Sequence, residues 1–431
     1  MSKRRNTVFT AIISLTISTV GLAQDDDWLN DENVERVLEV EEALPPYMIQ
    51  GPHFRVVSPV VNILGLDYFH IESDYGNFDA FGQLMLRIRL REIYALDVLD
   101  DIKTTDIAKG SLKREGKKAV ESVTQTARHP ILATKGIAKG LGTRFKRFTR
   151  DVKENIQTAR TDVSAEEKAR IYGDRWLGVD KAKRRWASEL NIDPYSTNET
   201  LQAELDRVAM AEAKASIGAK FIMPQIPGTE FIRDVYSVVT TYDYRELMEH
   251  NRKQLQGLGA AAEDIEYFQS LEYYNPTAAS MLIGTILELN GVDNQLALFE
   301  QALITQSVAD AIFFMESVLM ASWYHSTQAP LDRMLLVLGV PAAMTRDGRV
   351  VVFSASDFPH WTDTESSMAL QVHDAYKDLS SRRELLIAGN GSSSLRREVE
   401  ALGWSIRVYL RNEYLPRFPW AITDDEMQAG N

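Results

Sequence analysis

The chain has 431 residues and no cysteine, and this absence limits how the fold can be held together. Disulfides, thiolate metal sites and thiol nucleophiles are all excluded. A chain of this length buries enough apolar surface to fold without covalent links, and we expect more than one core. The fold must therefore come from packed helices and strands.

The first 23 residues have the pattern of a cleavable secretory signal peptide. Residues 3–5 are basic, residues 8–20 are apolar apart from Ser and Thr, and Gly21-Leu22-Ala23 places small residues at the cleavage site. The apolar stretch is shorter than the ~20 residues needed to cross a bilayer. We therefore predict an exported protein, periplasmic or extracellular, whose mature chain begins at Gln24.

The mature chain is predicted to be soluble and acidic. Removal of three cations with the signal peptide takes the formal net charge from −13 to −16, which argues against general affinity for nucleic acid. No later segment approaches 18 uninterrupted apolar residues, so we expect no transmembrane helix in the mature chain.

Positive charge is concentrated between Lys103 and Trp186, where 22 Lys or Arg accompany 10 Asp or Glu. One interpretation is that this basic segment packs on the acidic remainder of the chain and that the two neutralise each other. The other is that it binds an anionic envelope component, such as lipid head groups or a polysaccharide, or an acidic protein.

Inside the basic segment, apolar residues recur at steps of three and four, which is the spacing of an amphipathic helix. They are Ile137, Leu141, Phe145, Phe148, Val152 and Ile156. The candidate binding residues lie on the opposite face and are Lys139, Lys146, Arg150 and Lys153. Such a helix can lie in a membrane interface, or it can pack on the protein's own core and turn its cations to water.

The remaining pattern predicts a mainly α protein, a helical bundle with a short N-terminal β-hairpin and a small C-terminal α/β module. The hairpin is expected from Phe54 to Glu72, followed by a helix over 78–102. The predicted domains are a signal peptide 1–23, an acidic lead-in 24–52, a β-hairpin plus basic helical region 53–190, a helical bundle 199–330, a small α/β module 331–420 and a disordered tail 421–431.

Two features organise the second half of the chain. Residues 191–198 are turn and cap formers, which we interpret as a hinge between the basic and the acidic halves. Residues 294–325 are apolar on most sides and are predicted to form one central helix of the bundle. That helix contains Asp310, Glu316 and His325, for which we expect satisfied structural roles more than a titrating site.

In the C-terminal module, the order strand, helix, strand, helix, strand predicts at least one parallel strand pair. The loop Gly389–Ser394 lies between a strand and a helix and partly matches a dinucleotide-binding fingerprint. Its alternative is an ordinary turn capped by serine. Because the third glycine and the lysine of a phosphate-binding loop are missing, we expect no cofactor.

The seven histidines stand singly in the sequence, and no pair has the i, i+4 spacing of a helical zinc site, so no metal site is expected. His360 and His373 have three carboxylates near them in sequence, at Asp357, Asp363 and Glu365. These residues would make a carboxylate–histidine site if the fold brought them together.

The first hypothesis for function is a non-enzymatic binding or envelope-associated protein that uses the basic segment as its contact surface. The alternative is an exported hydrolase whose site lies between the helical bundle and the C-terminal α/β module. The sequence identifies no catalytic residues for that alternative.

Overall fold

The computed structural model describes residues 37–102, 177–215 and 230–429. Helices hold 55% and strands 19% of the structure, and the strands form two five-stranded sheets. The predicted fold class, a helical bundle with a short N-terminal hairpin and a small α/β module, is therefore wrong. Each end of the chain contributes a full sheet, and helices pack against both.

The N-terminal sheet is antiparallel and has the strand order β1-β3-β4-β5, with β2 also paired to β3. Its elements are β1 Val37–Leu38, α1 Val40–Ala43, α2 Pro46–Ile49, β2 Gln50–Gly51, β3 Phe54–Ile63, β4 Leu66–Ser73 and β5 Gly76–Phe81. The predicted hairpin is present as β3 and β4. It is the centre of a larger sheet whose other strands the sequence did not reveal.

Helix α3, Gly82–Asp101, covers one face of this sheet. The prediction started this helix at residue 78, but 78–81 belong to β5, and the change of structure occurs at Gly82 with a φ of +76°. The helix and the sheet share an apolar core that includes Val56, Phe69, Ile71, Leu86, Leu90 and Ile93.

Helices fill the centre of the molecule. They are α4 Leu177–Glu189, α5 Glu199–Ala215, α6 Glu230–Thr241, α7 Tyr244–Leu258, α8 Ala262–Ser270, α9 Pro276–Glu288, α10 Leu296–Ala302 and α11 Val308–Thr327. The predicted single helix over 294–325 is wrong, because the chain breaks between α10 and α11. Ser307 caps α11 by accepting a hydrogen bond from the Asp310 backbone N–H at 3.1 Å.

The C-terminal sheet has the order β10-β9-β8-β7-β6 and is mixed. Its elements are β6 Leu331–Val337, β7 Val340–Thr345, β8 Val350–Ser354, α12 Asp363–Tyr376, β9 Arg383–Ile387, α13 Ser393–Ala401 and β10 Ser405–Arg407. The predicted parallel pairing is confirmed twice, for β8 with β9 and for β9 with β10. The antiparallel strands β6 and β7 were missed.

After β10 the chain runs back across the whole molecule. It forms α14 Arg411–Tyr414, a 3-10 turn Leu415–Arg417 and α15 Asp424–Ala429. The predicted disordered tail at 421–431 is ordered where it is described. Ile422 and Met427 are buried in the core of the N-terminal sheet, so this end of the chain is part of the fold.

Among the described residues, none of the helices combines the length and the apolar character needed to span a membrane.

Candidate functional site

A ligand-sized cleft of about 470 Å³ lies between α4, α5 and the loop that joins them. It falls within the range of roughly 300–1,000 Å³ that is typical of small-molecule sites. The lining residues are spaced at three and four along each helix, so each helix contributes one face. They are Asp180, Lys183, Arg184, Pro194, Tyr195, Ser196, Thr197, Glu199, Gln202, Ala203 and Asp206.

Helix α4 is the described end of the basic segment, and two of its four cations, Lys183 and Arg185, are paired with carboxylates of the same protein. Lys183 Nζ lies 2.8 Å from Asp206 Oδ1, with both side chains 12% exposed. Arg185 pairs with Glu212, and its Nε lies 3.5 Å from Glu189. At this end of the segment, Lys183 and Arg185 are therefore neutralised by acidic residues of the same protein.

Two other charged residues that line the cleft are not paired in this way. Among the described residues, neither Arg184 nor Glu199 forms an ion pair, and Glu199 is exposed in the first turn of α5. The Arg184 guanidinium lies beside the hydroxyl of Tyr195 and opposes the rise in the Tyr195 pKa that burial causes. The cleft thus presents one cation and one carboxylate that the described chain leaves without a counterion.

The floor of the cleft is the loop 191–198, the predicted hinge, and it is firmly anchored. Asp193 accepts hydrogen bonds from the Tyr195 backbone N–H at 2.8 Å, from Asn275 Nδ2 at 2.9 Å and from the hydroxyl of Thr277. Burial raises the pKa of Asp193 to about 6, although these hydrogen bonds favour its charged form. The loop is thereby tied to the first turn of α9.

Helix α3 holds the other end of the same loop. Glu92 accepts hydrogen bonds from the Ser196 hydroxyl and from Asn198 Nδ2, the second at 3.1 Å. Asn198 in turn caps α5, since its Oδ1 accepts from the Leu201 backbone N–H at 3.1 Å. Arg89 reaches Thr197 Oγ1 at 2.8 Å. The loop is therefore fixed on both sides, which gives the cleft a preformed floor.

The candidate binding residues Lys139, Lys146, Arg150 and Lys153 lie outside the described residues, as does the predicted signal peptide. Their role stays a prediction.

The structure places His360 and His373 against different partners. The indole Nε1 of Trp404 donates to His373 Nδ1 at 3.1 Å. The backbone N–H of His360 donates to the Glu365 carboxylate at 3.1 Å, and its ring contacts Phe358. Asp357 is buried and pairs with Arg411.

The loop Gly389–Ser394 is a serine-capped turn. Its backbone N–H groups donate inside the protein, from Gly389 to Ser356 O at 2.9 Å and from Ser392 to Pro359 O at 3.1 Å. Ser392 Oγ accepts from the Leu395 backbone N–H at 3.1 Å and caps α13. Amides already used in this way do not form a phosphate cradle.

The polar residues on α11 have structural roles, as the sequence favoured. His325 Nδ1 accepts the Leu331 backbone N–H at 3.0 Å, and burial lowers the pKa of His325. Glu316 accepts hydrogen bonds from Arg411 Nε and from the Tyr414 hydroxyl, each at 2.7 Å. Asp310 lies in the capped first turn.

A buried network of acidic residues and one arginine joins the two sheets, and it was not predicted from the sequence. Arg411 also pairs with Asp357 at 2.7 Å, and Asp357 Oδ2 accepts the Asp67 backbone N–H at 2.9 Å. Asn62 Nδ2 donates to Asp67 Oδ1 at 2.6 Å. Burial, and then the charge of Asp357, raise the pKa of Asp67 to about 8.

Within the described ranges, no three His, Asp or Glu side chains are grouped so that they could hold a metal ion. Comparison with protein-family models, with curated proteins and with solved structures found no match to this chain.

Proposed function

We propose that this chain is an exported protein that acts by binding, and that it holds a small polar ligand in the cleft between α4 and α5. The observation that carries the proposal is the cleft itself. It is ligand-sized, its connecting loop is preformed, and it is lined by Arg184 and Glu199, which have no counterion among the described residues. Preformed polar groups that need no rearrangement are what small-molecule sites use to fix a ligand.

A thermal-shift screen of amino acids, short peptides, sugars, sugar phosphates and polyamines tests this proposal. A ligand that binds only the folded state raises the melting temperature. We expect at least one class to do so for the wild type. The variant Ala203→Trp should abolish that shift, because Ala203 is an exposed residue of the cleft wall and an indole there fills the space.

The matched control is Ala375→Trp, which places the same bulk on an exposed position of α12 away from the cleft. It should leave every ligand-induced shift unchanged. A screen in which no class stabilises the wild type, or in which both tryptophan variants respond like the wild type, would count against a ligand site in this cleft.

We also propose that the basic segment contacts an anionic envelope component. What supports this is the division of charge: the described residues contain 46 Asp or Glu and only 25 Lys or Arg, so the surplus of cations lies in the segment between α3 and α4. Such a division creates a local positive field on an otherwise acidic protein.

Co-sedimentation with vesicles that contain anionic lipid tests the second proposal. Binding should fall with added salt and with the double charge reversal Lys146→Glu/Arg150→Glu. The control is Lys253→Glu/Arg397→Glu, which changes the net charge equally at side chains that are 71% and 70% exposed on the acidic body. Equal loss in both double variants would assign the effect to net charge alone.

A further inference from the structure

The turn between β3 and β4 is bonded to the loop 355–358 that follows β8, and we define this contact as the latch. The carbonyl of Gly65 accepts the backbone N–H groups of Asp357 at 2.7 Å and of Phe358 at 3.0 Å. The backbone N–H of Asp67 donates to Asp357 Oδ2 at 2.9 Å. The tip of the turn is open to solvent, since Leu64 is 43% exposed. An exposed turn held by a few hydrogen bonds can open locally while the sheets stay folded.

The latch region buries more carboxylates than cations. In the described structure, the carboxylates of Asp67, Asp357 and Glu316 are all buried, and their ion pairs involve only the guanidinium of Arg411. A buried carboxylate without a counterion is held in its neutral form, because burial penalises the charge. We therefore expect at least one of the three to carry a proton while the latch is closed.

Two of the three carboxylates have partners that stabilise their charge. Asp357 Oδ1 lies 2.7 Å from Arg411 Nη2, and Oδ2 accepts the Asp67 backbone N–H. Glu316 accepts hydrogen bonds from Arg411 Nε and from the Tyr414 hydroxyl, each at 2.7 Å. Burial raises the pKa of Glu316, and the charge of Arg411 opposes that rise.

Asp67 is the carboxylate with the weakest support for its charge. Its described hydrogen-bond donor is the neutral amide of Asn62 on β3, at 2.6 Å. The charged groups that act on it are Asp357 in the loop after β8, which disfavours its ionisation, and the more distant Arg411 on α14, which favours it. Glu316 on α11 is paired with the same Arg411. The proton of the closed latch therefore lies on Asp67.

We propose that the proton on Asp67 holds the latch closed and that the latch opens more often as the pH rises. When the turn separates from the loop 355–358, water reaches Asp67, and its carboxyl group releases the proton to solvent as an exposed aspartate does. Each rise in pH then favours the open form. The contact between the two sheets thereby responds to pH while the strands stay paired.

The pH range of this response follows from the two forms of Asp67. Burial, and then the charge of Asp357, raise its pKa in the closed form to about 8, whereas the ordinary value is 3.8. Between these values opening releases a proton, so the opening constant rises by up to about tenfold per pH unit. Above about pH 8 both forms are ionised, and the constant levels off.

Hydrogen exchange of the full chain, followed by mass spectrometry in low concentrations of urea, tests the proposal at pH 5, 6.5 and 8. After correction for the intrinsic exchange rate at each pH, peptides over 64–71 and 355–361 should lose protection by about tenfold per pH unit. Their exchange should be nearly independent of urea, because a local opening exposes little surface. Peptides over β9, which is paired on both sides, should exchange more slowly and with a strong dependence on urea.

The variant Asp67→Asn removes the titrating group and keeps a neutral side chain of the same shape. The pH dependence of the latch peptides should disappear in this variant. The matched control is Asp374→Asn, at a side chain that is 66% exposed, which should keep the wild-type pH dependence. A measurement on the wild type alone is independent of how the variant folds: the infrared band of a protonated carboxylic acid should be present at pH 7 and absent at pH 9.

Three results would overturn the proposal. If the latch peptides exchange with the protection and the urea dependence of β9, the turn opens only when the whole molecule unfolds. If Asp67→Asn keeps the pH dependence, another group controls the latch. If the wild type has no band of a protonated carboxylic acid at pH 7, the closed latch does not hold the proton.

Discussion

Asp67 and Asp357 show how a single carboxylate can set the pH dependence of this fold. Both side chains are buried, and Arg411 forms an ion pair with Asp357. Burial, and then the negative charge of Asp357, raise the pKa of Asp67 to about 8. Asp67 therefore keeps its proton at neutral pH, when an exposed aspartate is ionised.

We expect Asp67→Asn to remove much of the pH dependence of stability between pH 5 and pH 8. The folded state holds the Asp67 proton up to about pH 8, whereas the unfolded chain releases it near the ordinary value of 3.8. The stabilisation from this group is thus full below that value and is lost as the pH rises to 8. The loss in the wild type should be roughly 2–4 kcal/mol over this window.

Urea unfolding of both proteins at pH 5 and pH 8 measures this difference. Asp193, whose pKa is raised to about 6, contributes equally to the two proteins and cancels. The control is Asp374→Asn, a carboxylate that is 66% exposed, which should leave the wild-type pH dependence intact. Identical pH slopes for the wild type and Asp67→Asn would show that Asp67 ionises normally.

Arg411 compensates two buried carboxylates at once, and its loss should be severe. The variant Arg411→Met leaves Glu316 and Asp357 buried without a cation, which typically costs about 3–5 kcal/mol. Arg397→Met, at a side chain that is 70% exposed, should cost less than about 0.5 kcal/mol. The two are compared by their urea midpoints, and similar shifts would contradict the role of Arg411.

None of these buried contacts could be predicted from the sequence. Asp67 and Asp357 are 290 residues apart, and Arg411 stands in a segment whose local pattern resembles any helix start. Residue type indicates that a buried charge needs a partner, but it does not indicate which distant partner the fold supplies.

Among the helices and strands, those that begin with a local sequence signal could be predicted from the sequence. Thr362 caps the start of α12, with Glu365 in its first turn, and Asn275 caps α9, with Pro276 as its first residue; all are residue types that favour helix starts. The hairpin of β6 and β7 was missed because its turn is Leu338-Gly339, with φ values of +51° and +77°. Leucine rarely adopts a positive φ, so only Gly339 marks this two-residue turn in the sequence.

The break between α10 and α11 was missed for the opposite reason. Leu303 and Ile304 extend the apolar pattern of α10 up to the polar residues 305–307, and Ile304 is 61% exposed although the pattern predicts a buried position. We expect Ser307→Ala to destabilise the protein by about 1 kcal/mol, because the Asp310 backbone N–H loses its acceptor. Chemical denaturation measures this loss, and Ser381→Ala in an exposed loop should have no effect.

For the whole molecule, the decisive feature is the return of the chain after β10. Arg417 Nη1 reaches Glu288 on α9 at 2.9 Å, and Trp420 stacks on Tyr236 of α6 with ring centroids 5.6 Å apart. Residues 421–431 were predicted to form a disordered tail because the ends of a chain are usually poorly ordered. The cleft could not be predicted from the sequence either, because it forms between α4 and α5 and exists only when the two helices pack side by side.

The last helix connects this returning segment to the N-terminal sheet, and it provides a test of how the halves cooperate. Two arginines on α3 pair with carboxylates on α15. Arg87 lies 2.6 Å from Asp424, and Arg91 lies 2.7 Å from Glu426. Met427 enters the core of the N-terminal sheet. A chain that ends at residue 422 loses all three contacts and leaves two largely buried arginines without carboxylates.

We therefore expect hydrogen exchange in this truncated chain to accelerate first in α3 and in strands β3 to β5, since these elements share a core with α15. Strands β8 and β9 should keep their protection, because their core is formed with α11 and the C-terminal helices. A chain that ends at residue 429 keeps α15 and should exchange like the full chain. Uniform acceleration in both sheets would instead mean that the molecule unfolds as one unit and that α15 stabilises all of it equally.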